Sequence, residues 1–292
     1  MSNVNELASG KGHTDENFPV ASVLIAKKFR APVLAFYAFA RSADDVSDSP
    51  TATADEKLRL LDEIERTLMG ELDTARDALK LRRVLAERNL SPQHALMLLE
   101  AFRRDVTKTR YTDWDDLMDY CRYSAMPVGR FVLDVHGESR DTWPANDALC
   151  AALQVVNHLQ DCAKDFRELD RVYLPLDLME KESLSVEALR QPKSSPALRA
   201  VLSELARRTA RLLDASRPFA AQIRNRRLSL DVAVIQTLAE DLNARLLVRD
   251  PLCDRVHHKK SDMPALLLRA AARFASARLS PKRGAVAPPT AP

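Results

Sequence analysis

Only six glycines occur in 292 residues, and that scarcity narrows the available folds more than any other feature of the chain. Hairpin turns and nucleotide-binding loops lean on glycine, because it adopts left-handed backbone without strain. Four of the six (Gly10, Gly12, Gly70 and Gly137) read as terminus or turn positions. No GxGxxG and no GxxxxGK[ST] is present, so no phosphate-cradling loop is advertised. Prolines punctuate the rest, since proline opens or ends helices. Between them run Val33–Ser49, Thr51–Ser91, Gln93–Met126, Ala145–Leu174, Ala197–Arg217 and Phe219–Asp250, rich in Leu, Ala, Arg and Glu. These are strong helix formers. Apolar residues recur at helical spacing, as in Leu58, Leu61, Ile64, Leu68 and Leu72, and no alternating strand pattern competes. The expected fold class is all-α.

Hydrophobic residues make up 46% of the chain and charged residues 29%, enough for a sizeable core and against long-range disorder. Residues 1–15 are polar and aperiodic and read as a flexible lead-in. No Pro/Gly-rich linker divides residues 16–279, which read as one helical domain with a helix-to-helix loop at 175–196. Residues 280–292, with four prolines and little to bury, read as a disordered tail.

The net charge of +3 is too balanced for a nucleic-acid reader. Cys121, Cys150, Cys162 and Cys253 form no CxxC pattern, so reduced thiols and a cytoplasmic location are expected. No run of about 18 apolar residues is present to span a membrane. Two readings stay open for Met263–Leu279, which carries Arg269, Arg273 and Arg278 among apolar residues. It is a terminal helix packed on the domain, or a basic amphipathic helix lying on the anionic inner membrane.

Two constellations carry chemistry. In Tyr37-Ala-Phe-Ala-Arg41-Ser-Ala-Asp44-Asp45-Val-Ser-Asp48, residues 37, 41, 44 and 48 share one helical face. The neighbours Leu34, Phe36, Ala38, Phe39, Ala40 and Ala43 are apolar, so the helix is expected to be largely buried. In Gln154-Val-Val-Asn157-His-Leu-Gln-Asp161-Cys-Ala-Lys-Asp165, residues 154, 157, 161 and 165 form a second stripe. Taken singly, the first suits a charged helix end and the second a buried polar network. Taken together they are two carboxylate pairs on buried faces, whose burial is costly without a cation. Carboxylates with no His/Cys set suit a hard ion such as Mg²⁺, which completes its octahedron with water and phosphate oxygens. A diphosphate is the natural ligand, with Arg41 and Arg171 available to its oxygens. No HExxH and no GxSxG is present. Cys162 is expected to pack, and His158 to be a packed or hydrogen-bonded histidine rather than a base.

At these residues the sequence resembles the squalene/phytoene synthase family. The resemblance rests on Tyr37-Ala-x-x-Arg41-x-x-Asp44-Asp45-x-x-Asp48, on Gln154-x-x-Asn157-x-x-x-Asp161-x-x-x-Asp165, and on Arg171-Val-Tyr173-Leu-Pro175, over roughly residues 16–250. It implies a class I isoprenoid synthase bundle around a central cavity. It also implies Mg²⁺ at Asp44, Asp48, Asp161 and Asp165, and roles in binding or orienting substrate for Tyr37, Arg41, Asp45, Gln154, Asn157, Arg171 and Tyr173. Glu16-Asn17-Phe18-Pro19-Val20-Ala21-Ser22, Ser124-Ala-Met-Pro-Val-Gly129-Arg130 and Asn157-His-Leu-Gln-Asp161 are similar to the bacterial branch that turns presqualene diphosphate and water into hydroxysqualene. Condensing relatives commonly carry basic or hydroxylated residues where Glu16 and Asn17 stand, and Arg where Gln160 stands. The resemblance thus implies a lyase of squalene and hopanoid biosynthesis that needs no NADPH. A head-to-head prenyl transferase is the nearest alternative, and a non-catalytic helical assembly factor the alternative of another class.

Overall fold

Among the described residues, Val4 and 25–279 of this computed structural model, the regular elements are helices. They are α1 (Lys27–Ser47), α2 (Ala54–Met69), α3 (Arg76–Arg88), α4 (Gln93–Thr107), α5 (Trp114–Ser124), α6 (Met126–His136), α7 (Trp143–Leu169), α8 (Leu176–Lys181), α9 (Pro196–Ser216), α10 (Phe219–Gln222), α11 (Arg226–Val248) and α12 (Met263–Leu279). Polar caps open several of them. Thr53 accepts from the Glu56 amide, Asp113 from Asp116, Ser195 from Leu198, and Asn225 from Arg227 and Leu228, each meeting an amide that the first turn leaves unpaired. The lead-in beyond Val4, the Glu16–Ser22 motif and the tail 280–292 lie outside the described residues.

Three expected stretches are broken where no proline stands. Thr51–Ser91 divides at Gly70, whose φ of +93° is the left-handed cap of α2. Gln93–Met126 divides at residues 108–113, and Phe219–Asp250 at residues 223–225. The 175–196 loop contains α8 and a 3₁₀ turn over Val186–Arg190.

Packing forms three apolar cores. The first joins α1 to α4 with Phe131 and Val135 of α6, and Phe36 stacks on Phe131 with ring centroids 4.0 Å apart. The second gathers α5, α7 and α9 around Val155, Leu159, Phe166 and Leu202. The third sets α6 and α7 against α10 and α11. At Gly129 the backbone of α6 lies so close to the side chains of α7 that a Cβ would lie 2.0 Å from Asn146 Oδ1. After α7 the chain turns at Asp170 (φ +51°) and runs beside residues 109–112. Val172 donates to Thr109 O, Leu176 to Tyr111 O and Asp177 to Thr112 O at 2.9–3.0 Å. That pairing carries Arg171 and Tyr173 into the molecule. No helix of the described residues is long and apolar enough to cross a membrane.

Candidate active site

The buried helix α1 delivers Asp44 and Asp45 in its last turn and Asp48 as its C-cap residue. Arg41 ties this end together, with Nη1 2.9 Å from Asp44 Oδ2 and Nη2 3.0 Å from Asp45 Oδ1. Arg171 closes on it from the segment after α7: Nη1 donates to Asp48 Oδ1 at 2.6 Å and Nη2 to Ser47 O at 3.3 Å. Both arginines, expected at diphosphate oxygens, thus bridge carboxylates and carbonyls of the chain itself.

Asp161 and Asp165 project from α7 with no hydrogen-bond or ion-pair partner among the described residues. Burial raises the Asp165 carboxyl to about 7, helped by Asp161 one turn away and by Asp48 from the opposite element. Asp44 is likewise raised to about 7, by burial first, then by Asp48, with Arg41 opposing. Each pair therefore feels negative charge it cannot escape, and the two pairs feel one another.

A carboxylate absent from the sequence reading completes the cluster. Asp105, 7% exposed on α4, accepts from Tyr120 Oη at 2.8 Å and from Tyr173 Oη at 3.4 Å. Its carbonyl takes Arg171 Nε at 3.2 Å. Burial lifts the Asp105 carboxyl to about 6, against Arg171 and the two phenols. Tyr111, Tyr120, Tyr173 and His158 form an aromatic group beside it. A polar cleft of about 650 Å³ opens on Asp48, Asp105 and Arg171, with Lys57, Arg167 and Arg190 also in its walls.

Toward the other end of α1 and α7 lies an apolar cavity of about 300 Å³. Val33, Tyr37 and Ala40 line it from α1, and Leu149 and Leu153 from α7. On both helices the apolar lining precedes the carboxylates in sequence, so grease and charge are arranged in the same order. Tyr37, expected with the charges, also lines this cavity. Gln154 and Asn157 are half-buried between the two. Gln160 points away: it is buried and its Nε2 donates to Val256 O. The neutral residue there serves packing, which weakens its use as a sign of lost diphosphate binding. Cys162 is core, as expected, and burial pushes the Cys121, Cys150 and Cys162 thiols up to about 12, leaving none as a nucleophile.

The sequence model of the squalene/phytoene synthase family matches residues 11–262. The hydroxysqualene synthase of Rhodopseudomonas palustris is 56% identical over 259 residues, 89% of each chain. That of Zymomonas mobilis is 51% identical over 272 residues, 92% of each. A crystallised squalene synthase from Alicyclobacillus acidocaldarius superposes with a TM-score of 0.71 at 31% identity, over 83% of this chain and 91% of its own. A dehydrosqualene synthase superposes with 0.77 at 21% identity over 94% and 96% of the chains, a likeness of fold. With the family's motif residues gathered at the ends of α1 and α7, and with relatives this similar along nearly the whole length, the chain belongs to the squalene/phytoene synthase family.

Proposed function

We propose that the chain is a hydroxysqualene synthase: it ionises presqualene diphosphate, and one water captures the cation, giving hydroxysqualene and diphosphate. One juxtaposition supports the chemistry, namely mutually repelling carboxylates at one end of α1 and α7 and an apolar cavity toward the other. The choice of branch rests on the likeness to two hydroxysqualene synthases over about nine-tenths of each chain.

Mg²⁺ fits the donor set. Asp44, Asp48, Asp161 and Asp165 offer hard oxygens, and Asp161 and Asp165 make no direct ion pair among the described residues, Lys164 and Arg171 acting on Asp165 without contact. No three Asp, Glu, His or Cys side chains of the described residues converge on one metal position. Each ion would therefore be held by one or two carboxylates and completed by water and phosphate oxygens. Bound there, Mg²⁺ would neutralise charge on the leaving diphosphate. Arg41 and Arg171 need only exchange a carboxylate for a phosphate oxygen to assist. The walls from Val33 to Leu153 keep stray nucleophiles from the cation. Gln154, Asn157 and Tyr173 orient substrate at the junction. Nothing is reduced, so no nicotinamide is required.

We place the enzyme in the cytoplasm, at the inner membrane surface. Val248 and Leu268 are 79% and 74% exposed, and the end of α11 lies against the start of α12, where Arg245 meets Asp262 at 2.8 Å. Lys259 and Lys260, in the turn between these helices, and Arg269, 3.9 Å from Asp241, are exposed, and such cations beside exposed apolar residues suit anionic lipid and a greasy substrate. Cosedimentation with anionic vesicles at low salt tests this; no binding removes it.

The decisive assay supplies presqualene diphosphate or farnesyl diphosphate separately, with Mg²⁺ and without NADPH. The expected result is a C30 alcohol from the first and no condensation of the second. Efficient formation of presqualene diphosphate from farnesyl diphosphate would replace this reading with the transferase one.

A further inference from the structure

Along the axis of α7, His158 falls between the wall of the apolar cavity and the first carboxylate of the pair. On α7, Leu153 lines the cavity and Asp161 is the first carboxylate of the pair. At about 1.5 Å of rise per residue, His158 lies ~7.5 Å beyond the one and ~4.5 Å short of the other. Its ring stacks on Tyr173 with centroids 3.5 Å apart and planes 14° from parallel, and Tyr120 lies 6.1 Å away. His158 is 8% exposed, and its Nε2 is buried without a hydrogen-bond partner among the described residues. Leaving such a group unsatisfied is destabilising, and a phenylalanine stacked in the same place would avoid that penalty. Packing alone therefore does not account for the imidazole.

The other polar groups nearby are engaged or ill suited. Asp105 already accepts from two phenols, and Gln154 carries an amide, which is a poor base. Burial, and then the charge of Arg171, lower His158 to about 3, so its ring is neutral across working pH. A neutral imidazole adds no positive charge beside a forming carbocation and keeps one lone pair free.

We propose that His158 holds the water that captures the carbocation and accepts the proton which that water must lose. The inference rests on the reading of the chain as a hydroxysqualene synthase. The diphosphate departs with the electrons of its C–O bond. The imidazole lone pair accepts one O–H of the water, turning an oxygen lone pair toward the cation. That lone pair forms the new C–O bond, the O–H bond breaks with its electrons left on oxygen, and the proton passes to the imidazole and then to solvent.

The test is product partition per diphosphate released, which a purely structural role would not change. Presqualene diphosphate and Mg²⁺ are incubated with the wild type and with His158→Phe, His158→Leu and His158→Gln; released diphosphate and C30 products are quantified. In the two apolar variants the alcohol share is expected to fall about tenfold or more, a smaller effect than the roughly hundredfold minimum typical of a positioned base because the cation is itself so reactive. Hydrocarbons formed by proton loss from carbon replace it. His158→Gln, which keeps a hydrogen-bond acceptor, should retain a larger alcohol share than either. An unchanged alcohol share in any folded apolar variant overturns the proposal, and if neither folds, a His158→Gln share equal to the wild type does so. A wild type that makes no alcohol would instead overturn the parent reading.

Discussion

Asp44, Asp165 and Asp105 are raised to about 7, 7 and 6 from an ordinary 3.8, in each case by burial first. Folded-state values above the unfolded ones mean that the folded protein binds more protons across that window. The stability these groups contribute is complete below about pH 4 and is lost as pH rises through about 6 to 7. For the protein without added metal, their contribution should lower the melting temperature between pH 5 and pH 8. Asp165→Asn should flatten that slope and raise the melting temperature at pH 8 by roughly 2–4 °C, equivalent to about 1 kcal/mol, while abolishing turnover. Thermal scans across pH check it, and a variant less stable than the wild type at pH 8 would contradict it. The paired aspartates were legible because each has a companion at helical spacing within its own segment. Asp105 was not: its partners Tyr120 and Tyr173 lie 15 and 68 residues away, and it follows two arginines. Those arginines turn outward, Arg103 to Asp62 and Glu65, Arg104 to Glu100 and Asp119. The spacing Leu98, Ala101, Asp105, all buried on α4, was the available signal.

Between helices, the contact of α6 with α7 depends on Gly129. A Cβ there would meet Asn146 Oδ1 at 2.0 Å and Cys150 Sγ at 2.7 Å. Alanine gains roughly 1 kcal/mol in helix propensity but overpacks a filled interface, which typically costs about 1–3 kcal/mol. Gly129→Ala should therefore lower the melting temperature, and because Gly129, Asn146 and Cys150 line the apolar cavity, it should also slow turnover. Adding Asn146→Ala should recover part of the loss, since it removes the nearest atoms while Cys150 Sγ stays 2.7 Å away; strictly additive effects in a double-mutant cycle would refute the contact. Proline spacing located the start of α9 at Pro196. It did not locate the 108–113 break, because that segment is held by backbone pairing with residues 172–177, a long-range contact with no local periodicity. The same pairing places Arg171 and Tyr173, so their motif was readable while their geometry was not.

At the level of the molecule, the two aspartate pairs rest on different cores. α1 is rooted in the core it shares with α2, α3 and α4, and the Asp161–Asp165 end of α7 in the core it shares with α5 and α9. Arg171, paired with Asp48, joins the two pairs' surroundings, and its charge together with that of Lys164 only partly offsets the repulsion at Asp165. A ligand that neutralised both pairs at once would couple the cores. Mg²⁺ alone can be held by few carboxylates here, and diphosphate alone would add negative charge to a site that already repels it. Together they supply cations for the carboxylates and phosphate oxygens for the cations and for Arg41 and Arg171. Stabilisation should therefore be strongly non-additive. With both at about a hundred times their joint dissociation constant, mass action gives about 2.7 kcal/mol, a rise of roughly 5–8 °C in melting temperature, against little change from either component alone. Asp44→Asn and Asp161→Asn, one on each core, should each remove most of that rise. Differential scanning fluorimetry with Mg²⁺, inorganic diphosphate and the mixture checks this, and a full shift from diphosphate alone would show that arginines rather than metal-bridged carboxylates hold the ligand.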